Sequence, residues 1–137
     1  MKQVFADTLY WVASITPGDP WYAPTLRAVA ALGPGHLVTT EEVLVEFLSA
    51  YAGRGAYLRG KALQTVRAIL AHVAVTVRPQ THESFMTGLD VYASRADKAY
   101  SLVDCLSMHT MRQMGLTEVL TNDHHCTPEG FTMLITR

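Results

Sequence analysis

The chain has 137 residues, 49% of them hydrophobic and 17% charged, with a formal net charge of -1. That balance excludes a disordered chain and gives no bulk attraction for a nucleic acid. The apolar runs all fall short of the roughly 18 to 20 residues that span a bilayer, and the opening MKQVFADT lacks a signal-peptide pattern. We expect a single domain over residues 1–137, soluble and cytoplasmic, with Cys105 and Cys126 as free thiols.

In chain order, KQVFA reads as a short buried strand ending at Asp7, and LYWVASI as a helix stopped by Thr16-Pro17-Gly18. Asp19 is a candidate N-cap with Pro20 at the first helical position, opening a helix that runs through TLRAVAAL to Gly33-Pro34-Gly35. HLVTT is a second strand. Thr40 then opens a helix, VLVEFLSAYAG, ended by Gly53. GAYLRGKALQTVRAILAHV has a helical pattern, AVTV is a third strand, and THESFMTGLDVYASRA is helical again. Ser101 begins a helix, LVDCLSMHTMRQMG, that stops at Gly115. TEVLT is a fourth strand and FTMLI a fifth. Strands that alternate with helices predict a three-layer α/β/α sandwich around a mostly parallel sheet of four or five strands.

Ligands of an open parallel sheet bind beyond the carboxyl ends of its strands. Asp7 follows the first strand and Asp123 the fourth, Asp104 lies in the first turn of the helix after Ser101, and Glu46 one turn into the helix after the second strand. Each acid also has an ordinary structural role open to it. Asp7 can cap a helix, and Asp104 stands three after Ser101 in a capping-box pattern. Asn122-Asp123 is turn chemistry, and Glu46 borders an apolar face. Taken together, the flanking apolar residues in VFADTLYW and SLVDCLSM place two of these carboxylates near the core. Crowded carboxylates raise one another's pKa, and a divalent cation relieves that repulsion. Oxygen ligands select Mg²⁺ or Mn²⁺.

Four stretches, VFADTLYWVA, LVTTEEVLVEFLSA, DKAYSLVDCLSMHTMRQMG and VLTNDHHCTPEGFTMLI, resemble the PIN domains of VapC-type toxins in the family's order. The resemblance implies a metal-dependent endoribonuclease, the toxin of a type II toxin–antitoxin pair, that hydrolyses RNA to leave a 5′-phosphate. It implies Asp7, Glu46, Asp104 and Asp123 as the catalytic acids, with Asp7, Asp104 and Asp123 holding Mg²⁺ or Mn²⁺. Thr8, Ser107 and Thr121 match supporting polar positions. It further implies a homodimer and a small antitoxin partner. Cys126 departs from the Phe that many relatives carry there, and residues 55–95 match in pattern alone.

Arg54, Arg59, Lys61 and Arg67 lie near Tyr57 and are candidate RNA contacts, though a solvated helix face explains them as well. The run His124, His125, Cys126 invites a zinc reading. Neighbours on an extended segment point to opposite sides, and no second pair completes a set, so we set zinc aside. A receiver domain would need an acid after AVTVRP, which has none. The alternative is a degenerate PIN domain that binds RNA or protein without cleavage.

Overall fold

The structure, a computed structural model, describes residues 2–137. In chain order it consists of β1 (Gln3–Ala6), α1 (Thr8–Ile15), α2 (Tyr22–Leu32), β2 (His36–Thr40), α3 (Glu41–Tyr51) and α4 (Gly55–Ala71). β3 (Val75–Arg78), α5 (His82–Ser94), α6 (Leu102–Met114), β4 (Glu118–Leu120), a 3₁₀ helix (His124–Glu129) and β5 (Thr132–Met133) follow. The five strands form one sheet in the order β3-β2-β1-β4-β5, and every pairing is parallel. The chain therefore starts in the middle, steps outward to β3, and returns to build the other half from β4. The switch point lies between β1 and β4, where Phe5 pairs with Val119 and Ala6 with Leu120.

Both faces of the sheet are covered. Val4 and Phe5 are adjacent in β1, fully buried, and point to opposite faces as strand geometry requires. Val4 packs with Leu120 and Ile135 beneath Trp21, Ala28 and Leu32 around α2. Phe5 joins the larger core, with Phe47 and Tyr51 of α3 and Met108 and Met111 of α6. A central parallel strand buried on both faces reads as a continuous apolar run, and VFA is one.

Several helix ends follow from capping chemistry. The Thr40 hydroxyl accepts from Val43 N at 3.1 Å and starts α3. Ser101 and Asp104 form a reciprocal capping box at α6, and Gly115, left-handed at φ 68°, ends that helix. The second helix departs from expectation. Asp19 Oδ1 accepts from Trp21 N at 2.8 Å, closing a local turn, so α2 begins at Tyr22 and Pro24 falls in its first turn. Proline is tolerated there, because first-turn N–H groups have no partner within the helix. The third strand is shifted one residue from AVTV, and the fifth keeps two residues of FTMLI. The segment after β4 is a 3₁₀ helix and not extended chain.

That 3₁₀ helix is anchored by Glu129, whose side chain is 8% exposed. Arg95 Nε and Nη2 donate to its carboxylate at 2.9 to 3.2 Å, Arg112 Nη2 at 2.8 Å and the Tyr100 hydroxyl at 3.1 Å. The Arg95 bonds hold the Glu129 carboxyl down at about 2, with Arg112 and Tyr100 adding to them. Charge-assisted bonds of this kind are the strong ones. α5 and α6 meet closely at Gly88, where an added Cβ would lie 2.5 Å from Leu106 Cδ2 and 2.9 Å from its Cγ.

Two outcomes follow from this packing. Gly88→Ala gains helix propensity of about 1 kcal/mol but overpacks a buried leucine, at roughly 1–3 kcal/mol. We expect a lower urea midpoint in the native background and a higher one once Leu106→Ala has made room. A higher midpoint in the native background would contradict the close packing. Glu129→Gln lowers stability by roughly 1–3 kcal/mol at neutral pH. The carboxyl is depressed in the folded state, so its stabilisation is present above 4.5 and lost as pH falls towards 2. Denaturation curves of variant and native protein should converge on acidification, and a gap that persists unchanged at pH 2 would exclude the mechanism.

Candidate active site

The end of β1 fixes Asp7. Its backbone N–H donates to Leu120 O at 3.3 Å, tying it to the end of β4. Asp7 stands at the N-cap position of α1, but its side chain does not make the usual capping bond. Instead the Thr121 hydroxyl donates to Asp7 Oδ2 at 3.0 Å, while Asp123 N donates to the same Thr121 oxygen at 3.1 Å. One buried threonine thus links two acids 116 residues apart.

Asp104 enters from the first turn of α6. Its Oδ2 accepts from Ser101 N at 2.9 Å, so the capping role is real and also orients the carboxylate. Asp123 caps the 3₁₀ helix, accepting from His125 N at 3.0 Å through Oδ1. A narrow cleft at the switch point is lined by Asp7, Asp104, Asp123, Ser107, Thr121, His125 and Cys126, backed by Phe5, Met108, Met111 and Val119. The structure therefore gathers three of the four acids, with Ser107 and Thr121, around one opening.

Glu46 is half-buried on α3 and does not line the cleft, although its charge reaches Asp7. Thr8 is buried and also stands outside the lining, with Oγ1 unpartnered. The basic side chains of the Arg54–Lys61 region lie away from it. Arg54 stacks over the Tyr51 ring at 5.0 Å, Arg59 Nη1 donates to Ala52 O at 3.0 Å, and Lys61 Nζ donates to Ile15 O at 2.8 Å.

Burial pushes the Asp7 carboxyl up from 3.8 to about 6. Hydrogen bonds from Thr8 N–H and Thr121 work against that rise, and the charges of Asp104 and Glu46 add to it. Among the described residues, no lysine or arginine lies within ion-pair distance of Asp7, Glu46, Asp104 or Asp123. The His125 imidazole lies beside this cluster, with Nδ1 3.4 Å from Asp123 Oδ1 and 3.7 Å from Asp104 Oδ2.

The donor set fits a divalent cation. Ligand atoms of Asp104, Asp123 and His125 lie within 4.8 Å of one another. The Ser107 hydroxyl, on a residue 7% exposed at the cleft wall, has no protein partner. Buried polar groups are normally satisfied, so an unpartnered one at a cleft wall marks a place for a ligand atom. His125 was absent from the sequence-based site because its segment was read as extended. The only signal for it was Asp123 as a 3₁₀ cap, with Pro128 and the left-handed Gly130 (φ 91°) closing the turn.

Among the described residues, no helix is long and apolar enough to cross a membrane. No curated protein matches the chain. Among solved structures it is similar to the crystal structure of Mycobacterium tuberculosis VapC20, described as a toxin that cleaves the sarcin-ricin loop. The TM-score is 0.83 with 24% identity, over 94% of this chain and 96% of that one, and at that identity the likeness speaks to the fold. The family model of the PIN domain matches residues 4–127, most of the chain, and the chain belongs to the PIN-domain family.

Proposed function

We propose that this protein is an endoribonuclease dependent on Mg²⁺ or Mn²⁺ and the toxin of a toxin–antitoxin pair. The observation that carries the reading is the convergence of Asp7, Asp104 and Asp123 on one cleft with no lysine or arginine among the described residues paired to them, in a chain of the PIN family. The likeness to VapC20, described as a toxin that cleaves the sarcin-ricin loop, supports the same reading. A small antitoxin and a homodimer belong to the proposal on the family resemblance.

Asp104, Asp123 and Asp7 would hold a divalent cation, which would supply Lewis-acid polarisation of a phosphodiester. The protein's own contribution is placement. Thr121 holds Asp7 and Asp123 in fixed relation, and Ser101 N–H fixes Asp104. Ser107 offers a hydroxyl with no other partner to a phosphate oxygen at the cleft wall. Phe5, Met108, Met111 and Val119 keep the floor apolar, which strengthens electrostatic interactions above it. Glu46 acts on Asp7 through its charge. Arg54, Arg59 and Lys61 are proposed to meet RNA phosphates outside the cleft, with Arg54 ordered over the Tyr51 ring and Arg59 and Lys61 by one hydrogen bond each.

Asp7→Asn and Asp104→Asn should each lower RNA cleavage by at least about a hundredfold in Mg²⁺ or Mn²⁺. Full activity retained in either folded variant would sink the assignment. Asp7→Asn also separates lost activity from lost structure. With the folded carboxyl at about 6 against 3.8, the native state keeps a proton that the unfolded chain has released between those values. Stability from this group therefore falls as pH rises through that window and is level above it. In EDTA at pH 7.5 the Asp7→Asn protein should be more stable by on the order of 1–3 kcal/mol, and the gain should vanish below pH 4. Urea denaturation across pH checks this, and a destabilised variant at pH 7.5 would show that the burial argument is wrong.

A further inference from the structure

We infer that His125 is a nitrogen ligand of the ion held by Asp104 and Asp123, giving the site a mixed oxygen–nitrogen donor set that favours Co²⁺ and Mn²⁺ over Mg²⁺. The inference rests on the nuclease reading for the presence of an ion and goes beyond it in the identity of a ligand.

The imidazole is held, not loose. Its ring packs at a tilt against Tyr100, 5.4 Å between centroids and 58° between planes, and the Tyr100 hydroxyl is itself bonded to Glu129. Its backbone N–H is fixed by Asp123 Oδ1 at 3.0 Å. Nδ1 is nevertheless buried with no hydrogen-bond partner. At 3.4 and 3.7 Å from the two carboxylates it lies beyond the 2.7–3.2 Å of an N–H···O bond. Two ligands at right angles on an ion with bonds of about 2.1 Å stand about 3 Å apart, so these separations suit a shared ion better than a direct bond.

The carboxylates are arranged to match. Asp104 uses Oδ2 to accept from Ser101 N, and Asp123 uses Oδ1 to cap its own helix. These are the two oxygens at 3.7 and 3.4 Å from Nδ1, and each backbone N–H bond fixes its oxygen while leaving a lone pair for an ion. A second feature points independently to a ligand at this place: Ser107, 7% exposed and on the same cleft wall, carries a hydroxyl with no partner. Cys126 is not part of the set, because its thiol donates to Asp123 O at 3.3 Å. His124, exposed on the 3₁₀ helix, is absent from the cleft. Imidazole nitrogen is a softer donor than carboxylate oxygen, so its presence raises affinity for later first-row ions more than for Mg²⁺.

The test uses the full-length protein stripped with EDTA and titrated with Mg²⁺, Mn²⁺ or Co²⁺ alone, with pulsed electron paramagnetic resonance on the Mn²⁺ form. Native protein should show ¹⁴N coupling from a coordinated imidazole. His125→Asn should lose that coupling and bind Co²⁺ at least about tenfold more weakly, with a smaller change for Mg²⁺. His124→Asn should keep both properties, and circular dichroism should show all three proteins folded.

An imidazole that only pairs with the acids gives the opposite sign, since removing a positive charge beside a cation site tightens ion binding. Co²⁺ affinity that is equal or higher in His125→Asn, or ¹⁴N coupling that is absent from native protein or persists in His125→Asn, overturns the inference. If Mn²⁺ binds without nitrogen coupling and RNA is still cut, the ligand assignment falls and the nuclease reading stands. If no divalent ion binds and no RNA is cut, both fall.

Discussion

Bringing Asp7 to the carboxyl end of β1 removes a carboxylate from water beside two further acids, and the rest of the site is arranged around that unfavourable burial. The group responds by rising to about 6. It is kept from rising further by the Thr8 N–H and the Thr121 hydroxyl, which favour the ionised form. A flexible loop could relax such an arrangement by turning the side chain outward. A strand whose Val4, Phe5 and Ala6 are all fully buried cannot, because its ladder to β2 and β4 fixes where Asp7 emerges. The rigidity of the sheet centre is thus what keeps the acids close.

The same economy of groups recurs around the cleft. Asp104 stabilises the start of α6 by accepting from Ser101 N, and that bond sets the plane of a carboxylate that also faces the opening. Asp123 does likewise for the 3₁₀ helix through His125 N. Capping therefore explains both residues without explaining them away: the cap bond fixes one oxygen of each and leaves it a lone pair. Behind the 3₁₀ helix, Glu129 gathers Arg95, Arg112 and Tyr100, and Tyr100 packs at a tilt against His125. An ion-pair network at the back of the turn is in this way continuous with the placement of an imidazole at its front.

Much of this was legible in the sequence because the signals were local. VFA, HLVTT and the Val119-Leu120 run are short apolar strands bounded by polar residues, and Thr40, Ser101 and Gly115 mark helix ends through chemistry that acts within one turn. Asp19-Pro20 misled because Asp forms turns as readily as caps, and Trp21 N took its side chain before a helix could. His125 was hidden for a related reason. On an extended segment His124, His125 and Cys126 would diverge. The 3₁₀ turn sends each a different way, His125 inward, Cys126 onto a carbonyl and His124 to solvent. Glu46 shows the converse limit: a motif placed it among the acids, whereas geometry leaves it acting on Asp7 at a distance.

The distribution of positive charge bears on how such a site would meet a polyanion. Arg95 and Arg112, the arginines nearest the 3₁₀ helix, are committed to Glu129. Arg59 and Lys61 are hydrogen-bonded to backbone carbonyls on α4's side of the molecule. The cleft itself holds three carboxylates, and the whole chain carries a net charge of -1. Without a cation, the field at the cleft opposes a phosphate, and like charges within a few ångströms in a partly dry site are costly. On the proposed function, an ion held by Asp7, Asp104 and Asp123 would reverse that field where a scissile phosphate would sit. Binding and chemistry would then depend on the same charge, and Asp7, whose burial costs the metal-free fold stability, would help make the loaded site attractive to RNA.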